Sequence, residues 1–247
     1  MVEQTKGTNI TMALFDKKAE HYDDFCQTPL GAFVDTVERK LVRELMNPQA
    51  GENLVDLGCG TGSITVDWAS LGCHMTGVDE SAMMLAKARA KPVRQGTADY
   101  IQADLARLPY PSAYFHGGLL QVTLEFVQEP AAVLQEAVRV IKPGGRLVIG
   151  LINASGPWAR YYQERAKTHS SSVYRRAHFF TQSTIDQLLR TSPSAVRGGL
   201  YIGPTEFLSA AQGWNIERSR AAARPLSEAG FLGLRYEQGQ EAGGLKT

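Results

Sequence analysis

Asp56 stands two residues before Gly58, Gly60 and Gly62, in the run LVDLGCGTG over 54–62. An acid beside a tight Gly-x-Gly-x-Gly turn suits a ligand that joins a nucleoside to an amino-acid tail. Backbone without side chains lets the chain turn sharply where a side chain would block the ligand. Dinucleotide enzymes use a related loop whose third glycine falls one residue later; here that position is Ser63. Asn53–Leu57 reads as a short apolar parallel strand and 63–70 as a helix, with Thr61 or Ser63 expected to cap its free N–H groups.

Two more acids follow the same pattern. Residues 73–78 read as a second strand ending in Asp79, which lies 23 residues after Asp56. A carboxylate there can accept both hydroxyl protons of a ribose diol. Ser81 is placed to cap a helix over 82–90, and Met84 on its first turn offers a soft apolar surface to a purine. A third strand over 100–103 ends in Asp104, and a fourth runs over 113–121 to Gln121. In an open α/β sheet the carboxyl ends of the strands form the ligand crevice, so the three acids are expected to converge there rather than merely to cap separate turns.

These runs, with FDKKAEHYDDF (15–25), GVDES (77–81), ADLARLPYP (103–111), TLEFVQEP (123–130) and RVIKPGGRLVI (139–149), resemble the class I S-adenosylmethionine-dependent methyltransferases, within the ubiquinone/menaquinone methyltransferase-like group. The resemblance is close over about 14–151 and loose beyond. It implies a Rossmann-like three-layer α/β sandwich around a mostly parallel seven-stranded sheet with an antiparallel last strand. It further implies that Gly58, Cys59, Gly60 and Thr61 wrap the methionine part of S-adenosylmethionine, with Asp56 near its ammonium. Asp79 takes the ribose hydroxyls, Glu80, Ser81 and Met84 flank the adenine or ribose, and Asp104 with the Leu105 backbone reads the adenine edge. Gln121 lies beneath the methionine chain, and Tyr22 either closes over the cofactor or packs as a plain aromatic.

The sequence departs from that pattern at FHGG (115–118), where His116, Gly117 and Gly118 replace an acid and apolar residues. Paired glycines mark a bulge or a close backbone approach, so the register of the fourth strand is open, and His116 at the strand's entry end is expected to be structural.

With 247 residues and 43% hydrophobic content the chain can bury one sizeable core, and a formal net charge of +1 gives no electrostatic footprint for nucleic acid. Cys26, Cys59 and Cys73 show neither paired nor metal-ligand spacing, so no metal site is expected and a reducing cytoplasm is the natural compartment. The longest apolar runs, such as LVIGLI over 147–152, are strand-length and no membrane span is expected.

One methyltransferase domain is expected: an amino-terminal helical arm or lid over 1–48, a cofactor-binding core over 49–152, an insertion over 153–180 and the rest of the sheet over 181–247. In the arm, Leu30, Phe33, Val34, Val37, Leu41, Val42 and Leu45 recur at helical spacing with Asp35, Glu38, Arg39 and Lys40 between them, which reads as a helix packed on the sheet. A fifth strand is expected over 145–152. The insertion after it is rich in aromatics, including Trp158, Tyr161, Tyr162 and Tyr174, and reads as a lid walling an acceptor pocket, with a homodimer surface as the alternative. A helix over 182–190, strands over 195–202 and 230–236, and a loose tail from Gly239 complete the reading.

The function expected is methyl transfer to a small-molecule acceptor through an O, N, S or C atom. His178, His169 and Glu125 are the candidate bases should the acceptor need to lose a proton. Metal-dependent catechol-type, DNA amino- and cytosine-5 enzymes would each show residues near the fourth strand that are absent from TLEFVQEP. The competing readings are a non-catalytic S-adenosylmethionine-binding sensor or assembly protein and, less favoured by charge, an RNA methyltransferase.

Overall fold

Apolar runs long enough to be buried on both faces build the centre of a seven-stranded sheet. In the computed structural model, which describes residues 15–16, 23–170 and 172–239, the strands are β1 (Asn53–Leu57), β2 (His74–Asp79), β3 (Thr97–Gln102), β4 (Phe115–Gln121), β5 (Ile141–Ile152), β6 (Ala195–Gly199) and β7 (Phe231–Glu237). Their order is β3-β2-β1-β4-β5-β7-β6. Only β7 runs against its neighbours, pairing antiparallel with β5 and β6. The sheet is therefore the mostly parallel one expected, with its antiparallel strand inserted next to the edge.

The period of two decides which layer each side chain enters. Along β5, Leu147, Ile149 and Leu151 join one apolar cluster while Val148 and Ile152 join the other. On the first face lie α5 (Pro130–Val140) and α7 (Gln182–Leu189), through Val133, Leu134, Ala137 and Ile185. The second face is covered by α2 (Pro29–Met46), α3 (Ser63–Ala69) and α6 (Pro157–Thr168), through Phe33, Val37, Trp68 and Trp158. A short α1 (Asp24–Gln27) precedes Thr28, whose hydroxyl oxygen accepts from Gly31 N–H at 3.0 Å and caps α2. Helix α4 (Ala82–Ala90) follows β2 and is capped as expected, Ser81 Oγ accepting from Met84 N–H at 3.1 Å.

Several boundaries differ from the sequence reading. Helix α3 is capped neither by Thr61 nor by Ser63: its N-cap is Gly62 at φ 72°, and both hydroxyls instead accept from Lys91 Nζ, at 2.9 and 2.7 Å. Strand β3 starts three residues early and stops at Gln102, which leaves Asp104 two residues past its end. β5 begins at Ile141 rather than Gly145, and its register with β4 shifts between Phe115 and Gly117. This is the irregularity that the paired glycines announced. A Cβ on Gly117 would lie 2.9 Å from Met46 Sδ, so α2 sits where a side chain would otherwise project. His116 Nδ1 accepts from Asn53 N–H at 3.0 Å, joining β4 to β1 at their entry ends.

β6 stops at Gly199 because Leu200 takes a left-handed φ of 57°, and α7 ends one residue early on Arg190 at φ 55°. Helix α8 (Ala210–Ala223) had no counterpart in the sequence reading, since its few large apolar residues, Trp214 and Ile216, form no stripe. The tail beyond Gly239 lies outside the described residues.

Candidate functional site

The parallel strands β1, β2 and β4 all end on one side of the sheet, where their tips and the loops after them enclose two joined cavities. After β1 the chain turns through Gly58 and Gly60, at φ 76° and 52°, and the amides of Gly58 and Cys59 both donate to Val78 O, at 2.7 and 3.0 Å. A Cβ on Gly58 would come within 2.4 Å of Thr123 Cγ2, so the loop can pass β4 only as glycine.

Asp79, at the tip of β2, lines the narrower cavity, a slot of about 80 Å³. Its Oδ2 accepts from Gly60 N–H and its Oδ1 from Ser81 N–H, each at 2.8 Å. The two amides fix the carboxyl group on the cavity wall. Burial, with the charge of Asp16, raises its pKa against the backbone bonds from Ser81, Gly60 and Glu80. The same slot is walled by Gly58, Gly60, Glu80, Ser81, Met84, Leu105 and Gln121, and by Phe15 and Phe126, whose rings meet edge-on at 5.1 Å. Ser81 Oγ also donates to Asp16, tying the arm to the rim.

The wider cavity, about 370 Å³, shares Gly58, Gly60 and Gln121 with the slot and adds Asp56, Cys59 and Thr61. Asp56 is 3% exposed and accepts from Thr65 Oγ1 at 2.6 Å. Loss of solvent and the charge of Asp79 push its pKa up to about 6, against the opposing Thr65 bond. Thr61 Oγ1 donates to Asp23 Oδ1 at 2.7 Å, and Lys91 pairs with Asp23 at 3.1 Å, so the arm is pinned to the glycine loop from this side too. Burial and the carboxylates of Asp56 and Asp79 hold the Cys59 thiol well above its ordinary range, hence protonated.

Thus the fold gathers Asp56, Gly58, Cys59, Gly60, Thr61, Asp79, Glu80, Ser81, Met84, Leu105 and Gln121 around two cavities with a common wall. Asp104 is not on that wall. It is exposed, because β3 ends before it, and its Oδ1 accepts from Ala106 N–H at 2.8 Å in the following turn. Tyr22 lies outside the described residues.

Of the three candidate bases, His178 is exposed and lines neither cavity. His169 is exposed at the end of α6, its Nδ1 3.0 Å from Arg165 O, on the rim of an outer aromatic cleft of about 430 Å³. Glu125 is wholly buried: Oε1 accepts from Ile152 N–H at 2.8 Å, Oε2 has no partner among the described residues, and burial pushes its pKa up to about 7.

Sequence reasoning missed Glu38. It lines the wider cavity, accepts from Gln121 Nε2 at 3.0 Å through Oε2, and is pushed up to about 8 by burial, then by the charges of Asp35 and Glu125. A signal was present. Glu38 falls four residues after Val34 and four before Val42, in the stripe of α2 that faces the protein interior. Tyr162 and Tyr174, from the aromatic segment after β5, stack at 4.0 Å between ring centroids and line both the wider cavity and the outer cleft. The two spaces thus share a wall of aromatic side chains.

Comparison with known proteins agrees with this geometry. Residues 55–149 match the family model of the methyltransferase domain. The chain is 34% identical over 137 residues to demethylmenaquinone methyltransferase from Clavibacter sepedonicus, a match covering 56% of each protein. It is also 30% identical over 182 residues to malonyl-[acyl-carrier protein] O-methyltransferase from Enterobacter lignolyticus, covering 68% of this chain and 70% of that one. For the first of these the match spans little more than half the relative's length. A solved S-adenosylmethionine-dependent methyltransferase from Thermotoga maritima, described as a possible histamine N-methyltransferase, superposes with a TM-score of 0.72 at 23% identity, over 92% of this chain and 99% of that one. That likeness speaks to the fold.

Proposed function

The chain belongs to the S-adenosylmethionine-dependent methyltransferases, and from that premise we propose that it moves the methyl group of S-adenosylmethionine to a small organic acceptor reached through the outer aromatic cleft. The observation that carries this reading is Asp79, held by two backbone amides on the wall of a slot whose floor is a glycine loop. A ribose diol fits that carboxyl group, and the apolar side chains of Met84, Leu105 and Phe126 fit a purine face. The Gly58 turn leaves the backbone bare where a methionine chain would pass, beside Asp56 for its ammonium.

Bound there, S-adenosylmethionine supplies a methyl group on a positively charged sulfur, already activated for transfer. What remains for the protein is placement. Asp79, Glu80, Ser81, Met84 and Leu105 would fix the adenosyl part, while Gly58, Cys59, Gly60, Thr61 and Gln121 would fix the methionine part. Asp104, its carboxylate taken by the Ala106 amide, is left out of this set. Holding an acceptor opposite the departing sulfur can lower the barrier by about 7–11 kcal/mol. Tyr162, Tyr174 and the Phe25 ring would keep water from the reacting atoms.

The two curated relatives act, by their names, on demethylmenaquinone and on a malonyl group of an acyl carrier protein. The acid-rich wall of the wider cavity opposes a free carboxylate such as malonyl, and its stacked tyrosines favour an apolar or ring-bearing acceptor. Among the described residues no group of three or more His, Cys, Asp or Glu could hold a metal ion, and no helix is long and apolar enough to cross a membrane.

Methyl-labelled S-adenosylmethionine incubated with the purified protein and fractionated metabolite pools tests the reading. Protein-dependent label in low-molecular-weight products supports it. Tight cofactor binding without product in any pool would favour the sensor alternative.

A further inference from the structure

The wider cavity has four carboxyl groups on its wall, and three of them are already answered. Asp23 pairs with Lys91 at 3.1 Å, Asp35 with Arg39 at 3.4 Å, and buried Asp56 takes the Thr65 hydroxyl. Glu38 is different. Its Oε2 accepts from Gln121 Nε2, and among the described residues its Oε1 takes no hydrogen bond and no cation pairs with it. Behind it stands Glu125, 0% exposed, with Oε2 unpartnered among the described residues and near enough for its charge to act on Glu38. Glu125 is fully buried and Glu38 half-buried, and carboxyl groups so placed without a cation are costly for a fold to keep. In front of Glu38 the cavity is walled by the stacked pair Tyr162 and Tyr174, which is also the gate to the outer cleft.

A carboxylate with a free oxygen, flanked by electron-rich ring faces and backed by a second acid, is a receptor for a cation. We infer that the methyl acceptor is a small primary or secondary amine that enters as its ammonium ion, with its nitrogen on Glu38 Oε1 and its apolar body against Tyr162 and Tyr174. This rests on the methyl-transfer reading above and names the acceptor class for the same site. Burial raises the Glu38 pKa to about 8, so the group gives up its proton to solvent as the ammonium ion binds, and the carboxylate so formed is the proton acceptor. The ammonium gives one proton to Glu38 Oε1. The lone pair so released forms the new N–C bond with the methyl carbon as the C–S bond breaks, and the breaking pair stays on sulfur. The products are a methylated ammonium ion and neutral S-adenosylhomocysteine, and the proton passes from Glu38 to solvent.

Equilibrium binding in the presence of saturating S-adenosylhomocysteine tests the inference, with 2-phenylethylamine, 2-phenylethanol and 3-phenylpropionate as probes of matched shape. The amine should bind about tenfold or more tighter than the alcohol, and the acid weakest. Glu38→Gln should remove the preference for the amine while S-adenosylhomocysteine still binds, which also reports that the variant is folded. Equal binding of amine and alcohol by the wild-type protein overturns the inference, whatever becomes of the variant. So does absence of amine binding, or a preference that survives in a folded Glu38→Gln. Failure of the wild-type protein to bind S-adenosylhomocysteine at all would instead remove the underlying methyl-transfer reading, and the inference with it.

Discussion

Gly58→Ala should cost far more than another left-handed glycine in this chain, and the difference can be worked from the structure. Gly51, at φ 83°, has nothing within 4 Å of an added Cβ, so Gly51→Ala pays only for the backbone conformation, about 1–2 kcal/mol. Gly58, at φ 76°, carries the same strain and in addition places the new methyl 2.4 Å from Thr123 Cγ2 and 2.6 Å from its Oγ1. Thr123 cannot easily give way, because its hydroxyl donates to Leu57 O and Gln121 O, both at 3.1 Å. Overpacking of this kind adds about 1–3 kcal/mol, so Gly58→Ala should destabilise by about 2–5 kcal/mol. Urea unfolding of both variants measures the difference. Thr123→Ala removes both clashing atoms, so the Gly58→Ala/Thr123→Ala pair should cost less than the sum of the single changes by roughly the clash contribution. The same double variant should recover part of the lost S-adenosylhomocysteine affinity. Equal costs at Gly51 and Gly58, or strict additivity with Thr123→Ala, would refute the claim that Thr123, just after β4, holds this turn in place.

Three further outcomes are expected. Because Asp56, Glu125 and Glu38 are raised by burial to about 6, 7 and 8 from ordinary values of 3.8, 4.5 and 4.5, the folded protein holds protons that the unfolded chain has released. Their contribution is full below about pH 4 and is lost as pH rises through 6–8. Thermal melts of the ligand-free protein should therefore fall between pH 5.5 and 8, and a flat or rising curve there would contradict the burial of these acids. Glu125→Gln should shallow that decline, read by the same melts, whereas an unchanged slope would place the titration elsewhere. Arg146, whose guanidinium bonds Glu52 at 2.6 and 2.8 Å and Met46 O at 2.6 Å, joins the entry ends of β1 and β5 to α2. Arg146→Met should cost about 3–5 kcal/mol in unfolding experiments yet leave S-adenosylhomocysteine affinity within about twofold, because the cavities lie at the opposite strand ends.

Much of this arrangement was legible in the sequence where local chemistry and the global fold agree. The bounds of β1, the Ser81 cap and the bulge at Gly117 each depend on a few adjacent residues, and each was found there. What escaped depends on distance. Asp104 was read as a third strand tip, but the Ala106 amide takes its carboxylate into a turn and the strand stops earlier. Glu38 was read among the polar residues between the apolar positions of α2, although its spacing from Val34 and Val42 puts it on the interior side. Only the return of the chain after β5 lays Tyr162 and Tyr174 over the same cavity. The unforeseen α8 packs on α2 through Trp214 and Phe33, an edge-on contact of 5.1 Å that no single-segment pattern reveals.

Calorimetric titration of the wild-type protein and Asp79→Ala with S-adenosylhomocysteine tests whether Asp79 and the glycine loop hold the adenosyl group. Loss of a charge-assisted pair of hydrogen bonds predicts an affinity about 10- to 100-fold weaker in the variant. Unchanged affinity in a folded Asp79→Ala would contradict the account.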